Sequence, residues 1–411
     1  ALAKEFDAIG MAGTTRSMPK SMIQETLESA FGWFSQFSFE HFHYKVCSTL
    51  DSSPDYGNIG VAIEAGQRWF NTPWVPFLIG TPSLGRWVAF GELFARDGEA
   101  IYRLDRHPTM SRHPVTPMDE ADVGRHLAKQ TDQTFHSFEL PSLRENAATR
   151  QSLLESITSK DDSGIVIFDT IDITDLKKCG EHLRWMASRY GPFTAGSSAV
   201  ESAYVLSGNP CDDTPAASGK LGEVSSLLVV SGSASPKTKL QIQYARDQGW
   251  RVLSMKPWEW FQKEPEDALL SEIVEKASAA LGRGEDVVLC ACEGPDDPAI
   301  ERTKAAAREA EWEHPLHRIG MLQGKALRKI LEMVSLPRVC IAGGDTSGYA
   351  TGELGIYALE FGARVDPGVP LCIARSPVYD GLEVALKGGQ VGAVDFFAAV
   401  KAGGRQGDCG M

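Results

Sequence analysis

The chain has no cluster of basic residues, no long apolar segment and no signal-peptide pattern. Its 41 lysines and arginines are spread along the sequence and are outnumbered by 54 aspartates and glutamates, giving a net charge of −13. A surface for nucleic acid or for an anionic membrane is therefore not expected. Because no apolar run is long enough to cross a bilayer, we expect a cytoplasmic protein.

Disulfide and zinc frameworks are also missing. The eight cysteines are scattered, and only Cys290 and Cys292 lie close together. This spacing matches neither a disulfide framework nor a zinc site. Several cysteines lie within apolar runs, where a reduced thiol packs as a small hydrophobic group, which fits a reducing cytoplasm.

Two common nucleotide-binding motifs are absent as well. No Gly-x-x-x-x-Gly-Lys-Ser/Thr run occurs, which excludes a P-loop enzyme, and no Gly-x-Gly-x-x-Gly follows a strand, which argues against a Rossmann dehydrogenase. What remains is a chain of 411 residues with 43% hydrophobic and 23% charged residues. That is the composition of an ordinary soluble protein of two or three domains.

Apolar runs that predict strands alternate with helical patterns along the chain. This alternation favours mainly parallel sheets flanked by helices. A region from 86 to 106 interrupts it as strands or a hairpin with turns at Gly91 and Gly98. The predicted strands are 6–12, 42–47, 75–79, 165–169, 227–230, 250–253, 286–290 and 338–342, and the predicted helices include 19–37, 58–70, 174–189 and one beginning at Asp119.

A change of composition divides the chain. Residues 207–224 are rich in Ser, Gly, Pro, Asp and Ala and are interpreted as a linker. The sequence thus predicts two α/β domains, at 1–206 and 225–411.

In the second half, a buried strand at 338–342 leads into Gly343 and Gly344 and then into a helical segment. Glycines allow backbone N–H groups to approach an anion, and a helix start offers unpaired donors. Asp345, Thr346 and Ser347 add a carboxylate and two hydroxyls, which suits magnesium and phosphate better than simple capping. The alternative is a tight turn capped by Asp345 or Thr346.

In the first half, a strand end carries Lys45, Ser48, Thr49, Asp51 and Ser52, and 57–60 opens the next helix. A lysine, several hydroxyls and a carboxylate together can hold the carboxylate and hydroxyls of a sugar acid. A solvated turn with Asp51 or Ser52 as a helix cap explains the same residues. Composition alone leaves both interpretations open.

The Gly-Gly-Asp-Thr-Ser-Gly turn at 343–348, read together with 365–370 and 385–397, closely resembles the nucleotide-binding domain of the four-carbon acid sugar kinase family. The stretch 45–52 with 57–60 resembles the substrate-domain motif of the same kinases, and Arg16 falls at their Thr-Arg-Ser position. The His-Pro-x-x-Pro-Met segment that begins at His113 is similar to another part of that domain, although a connector with solvated histidines is the alternative there.

This resemblance, which spans 6–397, implies an ATP-dependent kinase that phosphorylates a terminal hydroxyl of threonate, erythronate or a 3-oxo-tetronate, with magnesium. A related branched acid such as 3-oxo-isoapionate is the alternative substrate. The resemblance also implies an active site in the cleft between the domains. Asp345 would orient magnesium or take the hydroxyl proton. The implied cofactor-binding residues are Ser233, Ser235, Gly343, Gly344, Asp345, Thr346, Ser347, Gly348 and Gly389, and the implied substrate-binding residues are Arg16, Lys45, Ser48, Thr49, Asp51, Ser52 and His113.

Chains of this family begin with a strand that ends in an Asp-Asp-x-Thr-Gly motif. No such motif occurs near Ala1, so we expect the leading strand and its motif to be missing here. A non-catalytic sugar-acid-binding protein therefore stays open as an alternative, and a different enzyme class, such as an α/β dehydrogenase or aldolase, is a separate one. A homodimer is compatible with the sequence.

Overall fold

The computed structural model describes residues 6–112, 116–208, 221–261, 265–312, 315–366 and 368–405, with Ser17 and Asp345 described by their backbone alone. The chain divides into two compact units, Ala1–Asp213 and Thr214–Met411. Most of the predicted linker lies outside the described residues, so the domain boundaries stay a prediction.

The amino-terminal unit alternates strands and helices. Its elements are α1 (Lys20–Phe34), β1 (Phe42–Lys45), α2 (Ile59–Phe70), β2 (Trp74–Leu78), β3 (Arg86–Ala89), β4 (Glu92–Asp97), β5 (Ala100–Arg103), α3 (Val123–Ala128), β6 (Phe135–Phe138), α4 (Leu140–Leu143), α5 (Ala147–Thr158), β7 (Gly164–Phe168), α6 (Ile173–Tyr190), β8 (Phe193–Gly196) and α7 (Ala199–Ser207).

Five of these strands form a parallel sheet in the order β1-β8-β2-β7-β6. Side chains alternate between its two faces, so Ile165 and Ile167 of β7 enter one core while Val166 and Phe168 enter the other. The predicted parallel sheet with helices on both faces is confirmed.

A separate antiparallel sheet, β3-β4-β5, follows β2. Its turns are at Gly91 and Gly98, as predicted, and both residues have positive φ, 76° and 58°. Val88 of β3 exchanges two backbone hydrogen bonds with Thr170, at 3.0 and 2.9 Å. This bridge fixes the small sheet to the residues that follow β7.

The carboxy-terminal unit has the same alternation, and β9 is its first strand in the described chain. Its elements are β9 (Leu228–Ser231), α8 (Pro236–Asp247), β10 (Arg251–Ser254), α9 (Glu266–Gly282), β11 (Val287–Cys290), α10 (Pro298–Glu309), α11 (Pro315–Met333), β12 (Arg338–Ala342), α12 (Gly344–Glu353), β13 (Ala358–Asp366), β14 (Val369–Arg375), β15 (Glu383–Lys387) and α13 (Phe396–Lys401).

Its sheet has seven strands in the order β10-β11-β9-β12-β15-β14-β13. The first five strands in this order (β10, β11, β9, β12 and β15) run parallel. The last two, β14 and β13, are antiparallel additions at one edge. The pairing of β13 with β14 shifts register twice, at Gly362 and at Val365, where β13 carries one extra residue each time. The parallel part brings the carboxyl ends of β9, β12 and β15 side by side.

Most predicted elements are present within a few residues of their predicted bounds, but two expectations were wrong. Residues 6–12 form no strand, and Phe6, Ile9 and Met11 are exposed; an apolar pattern alone does not make a strand where no neighbouring strand pairs with it. The helix expected at Asp119 begins at Val123, because Asp122 is its cap and accepts a hydrogen bond from the Arg125 N–H at 2.8 Å.

The helix predicted from Asn58 is confirmed, and the Asn58 side chain caps it by accepting from the Val61 N–H at 2.8 Å. Within the described ranges, no helix is both long enough and apolar enough to pass through a membrane.

Candidate active site

The predicted nucleotide residues of the carboxy-terminal unit converge at the ends of three neighbouring strands, β9, β12 and β15. The Gly232 N–H after β9 donates to the Ala342 carbonyl at 2.9 Å, and the Gly343 N–H after β12 donates to the Lys387 carbonyl at 2.9 Å. Ligands of parallel α/β sheets bind at this end of the strands.

Gly343 turns the chain from β12 into α12. It has φ 134° and ψ 136°, a conformation that favours glycine, and a Cβ on it would lie 3.0 Å from Thr346 Oγ1. At Gly344 and Gly348 a Cβ would meet no atom within 4 Å. The backbone at the start of α12 is therefore open to an anion, and its first N–H groups lack partners within the helix.

Several hydroxyl groups of this region hold the strand ends together. The Ser235 hydroxyl caps α8 by accepting from the Thr238 N–H at 3.0 Å, and it also donates to the Gly389 carbonyl. Thr238 Oγ1 lies 3.0 Å from Ser233 Oγ. A Cβ on Gly389 would lie 2.7 Å from Ser233 Oγ, so glycine is required for this close approach.

Lys387 also belongs to this region, although it is not among the predicted site residues. It is 1% exposed, and its ammonium donates to Thr238 Oγ1 and to the Gly388 carbonyl, each at 3.0 Å. Burial lowers the pKa of Lys387 to about 8; Cys340 acts in the opposite direction, and Lys237 lowers the pKa slightly further. The sequence contains a signal for this buried lysine, because Lys387 directly follows the apolar residues 384–386. A solvated lysine is not expected at such a position.

The hydroxyls at the start of α12 are also engaged. Thr346 Oγ1 donates to Gln323 Oε1 at 3.1 Å, and Gln323 Nε2 donates to the Ser231 carbonyl at 3.1 Å. The Ser347 hydroxyl donates to the Gly343 carbonyl at 2.7 Å. The N–H groups of Gly344, Asp345 and Thr346 are consequently the remaining donors at the start of α12, because the Ser347 N–H already donates to the Gly343 carbonyl at 3.0 Å.

The Asp345 backbone lies in the first turn of α12, while its side chain is outside the described part of the protein. Among the described residues, no group of three or more His, Cys, Asp and Glu side chains is placed to hold a metal ion. The magnesium role of Asp345 stays a prediction.

In the amino-terminal unit, two predicted substrate residues form an ion pair. Arg16 Nη2 lies 2.8 Å from Asp51 Oδ2, and Thr49 Oγ1 donates to Asp51 Oδ1 at 2.6 Å. Gly57, with φ 61°, lets the loop pack on Arg16, since a Cβ there would lie 2.4 Å from the Arg16 carbonyl oxygen. The fold thus brings Arg16 to the 45–52 stretch.

Ser52 belongs to a buried polar network. Its hydroxyl donates to the Leu50 carbonyl at 2.8 Å, lies 2.9 Å from His126 Nε2 and accepts from Gln130 Nε2 at 2.9 Å. Burial lowers the pKa of His126 to about 4, so this histidine is neutral at pH 7. The geometry favours a supporting role for Ser52 in shaping the loop.

The other predicted substrate residues differ in their surroundings. Lys45 is exposed at the end of β1, Ser48 is half-buried in the turn that follows, and His113 lies outside the described residues. His107, in the same basic loop as His113, is 6% exposed and its Nδ1 accepts from the Thr109 N–H at 3.2 Å. The alternative interpretation of this loop, a connector with solvated histidines, therefore does not hold for His107.

Comparison with known proteins follows the same division of the chain. Residues 1–204 match the model of a sugar-binding N-terminal domain, and residues 228–397 match that of a nucleotide-binding C-terminal domain. The chain is 38% identical to the 3-oxo-isoapionate kinase of Paraburkholderia graminis over 412 residues, which covers 97% of this chain and 85% of that protein. The chain belongs to the four-carbon acid sugar kinase family.

The four-carbon acid sugar kinase family also includes relatives of lower identity to this chain. The 3-oxo-tetronate kinase of Pseudomonas savastanoi pv. phaseolicola is 28% identical, with 96% of this chain and 86% of that protein covered. Among solved structures, a Salmonella typhimurium protein described as a putative tRNA synthase is similar with a TM-score of 0.75 and 22% identity, covering 94% of this chain and 86% of that one. A Haemophilus influenzae protein has a TM-score of 0.68 and 22% identity, covering 93% and 87%. These structures share the fold.

Proposed function

We propose that this protein is an ATP-dependent kinase that phosphorylates a terminal hydroxyl of a four-carbon sugar acid of the threonate, erythronate or 3-oxo-tetronate type. The observation that carries the proposal is the meeting of three strand ends at Gly232, Gly343 and Gly389, in a domain of the nucleotide-binding type. Phosphoryl transfer depends mainly on positioning and on neutralising charge, for which such a backbone cradle is suited.

The nucleotide phosphates would lie against the open start of α12. Gly344 and Gly348 leave room for a phosphate, and the N–H groups of this turn would donate to it. Thr346 and Ser347 would fix the turn through the hydrogen bonds of their hydroxyls. The remaining nucleotide residues, Ser233, Ser235 and Gly389, would border the phosphates from the neighbouring strand ends.

Magnesium, when bound with ATP, would neutralise phosphate charge. Asp345 is the residue that we propose to orient the ion or to accept the proton of the substrate hydroxyl. A single carboxylate is compatible with such a role, because Mg²⁺ in kinases is held mostly by water and phosphate oxygens.

The sugar acid would be held at the Arg16–Asp51 pair. Carboxylate and hydroxyl oxygens of the acid would meet the cations of Arg16 and Lys45, while Asp51 would accept from a substrate hydroxyl. Ser48 and Thr49 offer further hydroxyls in this turn, and His113 is kept as a proposed neighbour of the acid.

A branched acid of the 3-oxo-isoapionate type is the second candidate substrate. It is favoured by sequence similarity, because the chain is 38% identical to a 3-oxo-isoapionate kinase and 28% identical to the 3-oxo-tetronate kinase of Pseudomonas savastanoi. Both candidate substrates would be phosphorylated by the same mechanism. They differ in that the substrate-binding residues must accommodate a branched carbon chain in one and an unbranched chain in the other.

The test is an ADP-release screen of the protein with ATP and magnesium against threonate, erythronate, 3-oxo-tetronates and 3-oxo-isoapionate. We expect release with at least one of these acids and a collapse of turnover in Asp345→Ala, whereas Glu353→Ala at the other end of α12 should retain it. Absence of ADP release with every acid would overturn the proposed activity. Unchanged kinetics of Asp345→Ala would remove only that residue from the mechanism.

A further inference from the structure

Arg86 is a cation near the proposed acid site that neither the sequence motifs nor the comparisons assign. It is the first residue of β3, and it is half-buried. Its backbone N–H donates to the Thr81 carbonyl at 3.2 Å. The Thr81 hydroxyl in turn lies 2.7 Å from the Ser197 hydroxyl, directly after β8. Arg86 is thereby fixed beside the carboxyl ends of β2 and β8.

The position of Arg86 also brings it near the predicted acid-binding turn. Burial lowers the pKa of the Arg86 guanidinium from its usual value, while Cys47 and Asp51 of that turn, and Asp97 of β4, act electrostatically in the opposite direction. The guanidinium still carries its charge at pH 7, because arginine keeps its proton in proteins. The Val46 N–H, at the start of the turn after β1, donates to the Gly196 carbonyl at 2.7 Å, so this turn begins beside Ser197 and the Thr81 segment that positions Arg86.

The hydrogen bonds of Arg86 occupy only one side of its guanidinium. Nη1 donates to the carbonyls of Leu84 at 2.8 Å and Gly85 at 3.0 Å. Nε is buried and has no hydrogen-bond partner among the described residues. Arg16 differs, since its guanidinium already pairs with Asp51. Arg86 thus keeps its Nε and Nη2 edge for another acceptor, and a buried donor without an acceptor is costly.

That edge is the one with which arginine binds a carboxylate through two parallel hydrogen bonds. Among the described residues the protein itself uses this edge three times, and one case is Arg103 with the two oxygens of Asp105. Arg144 donates from Nε and Nη2 to the two oxygens of Asp175, at 3.1 and 3.0 Å, and Arg375 does the same with Glu360, at 2.7 and 2.8 Å.

We propose that the Nε and Nη2 edge of Arg86 binds the carboxylate group of the sugar acid, and that Arg86 makes the enzyme select acids over neutral sugars. This inference rests on the proposed function and adds to it the residue that recognises the carboxylate of the substrate. Arg16 and Asp51 would then contact the hydroxyl part of the substrate. The bridge between Val88 and Thr170 supports this role, because it holds β3, and with it Arg86, in place.

The test compares the preferred acid with its neutral amide in the wild type, Arg86→Gln and Arg86→Lys. In Arg86→Gln we expect kcat/KM for the acid to fall by roughly 10- to 100-fold, while the value for the amide changes little, so that the preference for the acid is lost. Arg86→Lys should recover only part of the preference, because an ammonium cannot form the paired contact. The KM for ATP should stay the same.

Arg96→Gln is the matched control, since Arg96 is an exposed arginine on the neighbouring strand β4, and it should keep the preference. Thermal unfolding of each variant reports whether the domain is folded. Equal losses for acid and amide in Arg86→Gln, or loss of the preference in Lys45→Gln instead, would overturn the inference. If the wild type phosphorylates no sugar acid, the proposed function itself has failed.

Discussion

Arg16 and Asp51 form an ion pair, with 2.8 Å between Nη2 and Oδ2, in which the arginine side chain is 62% exposed and the aspartate 5%. Because the pair acts as a unit, Arg16→Ala and Asp51→Ala should each raise the KM for the acid by about 10-fold, and the double variant should add little beyond the larger single effect. Steady-state kinetics of the wild type, the two single variants and the double variant form a double-mutant cycle, which gives the coupling free energy between Arg16 and Asp51.

Independent action of the two residues would appear as additive effects in that cycle. Arg125→Ala serves as the control, because Arg125 is an exposed arginine of the same domain, 3.7 Å from Asp122. Its KM for the acid should equal that of the wild type.

Three glycines of α12 allow a test of the phosphate position. A Cβ at Gly344, Gly348 or Gly352 would meet no atom within 4 Å, so replacing any of them by alanine should maintain stability or raise it by up to about 1 kcal/mol. Gly344→Ala should nevertheless raise the KM for ATP by at least about 10-fold, because its methyl group would take space that we assign to phosphate.

Gly352→Ala, in the same helix but away from its start, should leave the KM for ATP unchanged. Equal ATP kinetics in the Gly344 and Gly352 variants would place the phosphates elsewhere.

Lys387 predicts a specific dependence of stability on pH. Its pKa is lowered to about 8 in the folded protein, against about 10.4 in an unfolded chain. Between these values the unfolded state binds the proton that the folded state has released, so the contribution of Lys387 to stability rises with pH. Below about pH 8 both states hold the proton and this dependence is absent.

Urea unfolding at pH 7.5 and pH 9.5 measures this effect against Lys387→Met. Relative to the variant, the wild type should gain on the order of 2 kcal/mol over that interval. Parallel pH curves for the two proteins would contradict the prediction.

The Ser52 network predicts a loss of stability. Ser52→Ala removes a buried hydroxyl that contacts Leu50, His126 and Gln130, and we expect a decrease of about 1–3 kcal/mol because those groups lose their partner. The KM for the acid should change less than in Arg16→Ala. Normal stability with a strongly raised KM would instead indicate direct contact with the substrate.

The sequence predicted the parts of the fold that depend on local patterns. The strand at 338–342 and the glycine turn after it were predicted because an apolar run, two glycines and a helix start are adjacent in the chain. Residues 6–12 show the limit of this reasoning, since their pattern was similar but no strand pairs with them in the described structure.

Contacts between residues that are far apart in the sequence could not be predicted from such local patterns. Lys387 and Thr238 are 149 positions apart, and nothing local in either segment indicates that a buried ammonium joins them. The unoccupied edge of Arg86 is likewise visible only once the positions of Leu84, Gly85 and Cys47 in space are known. The sequence located the turns of the candidate site and several of their hydroxyls, but not Lys387, Thr238 and Gln323, which support them.

The two extra residues of β13, at Gly362 and Val365, have a consequence for the behaviour of the protein at high concentration. β13 is the outermost strand of its sheet, and Phe361 on it is 60% exposed. A regular apolar edge of this kind invites aggregation by strand addition. Because each bulge interrupts the even spacing of the backbone groups, a strand from another molecule cannot continue the ladder along the whole of β13.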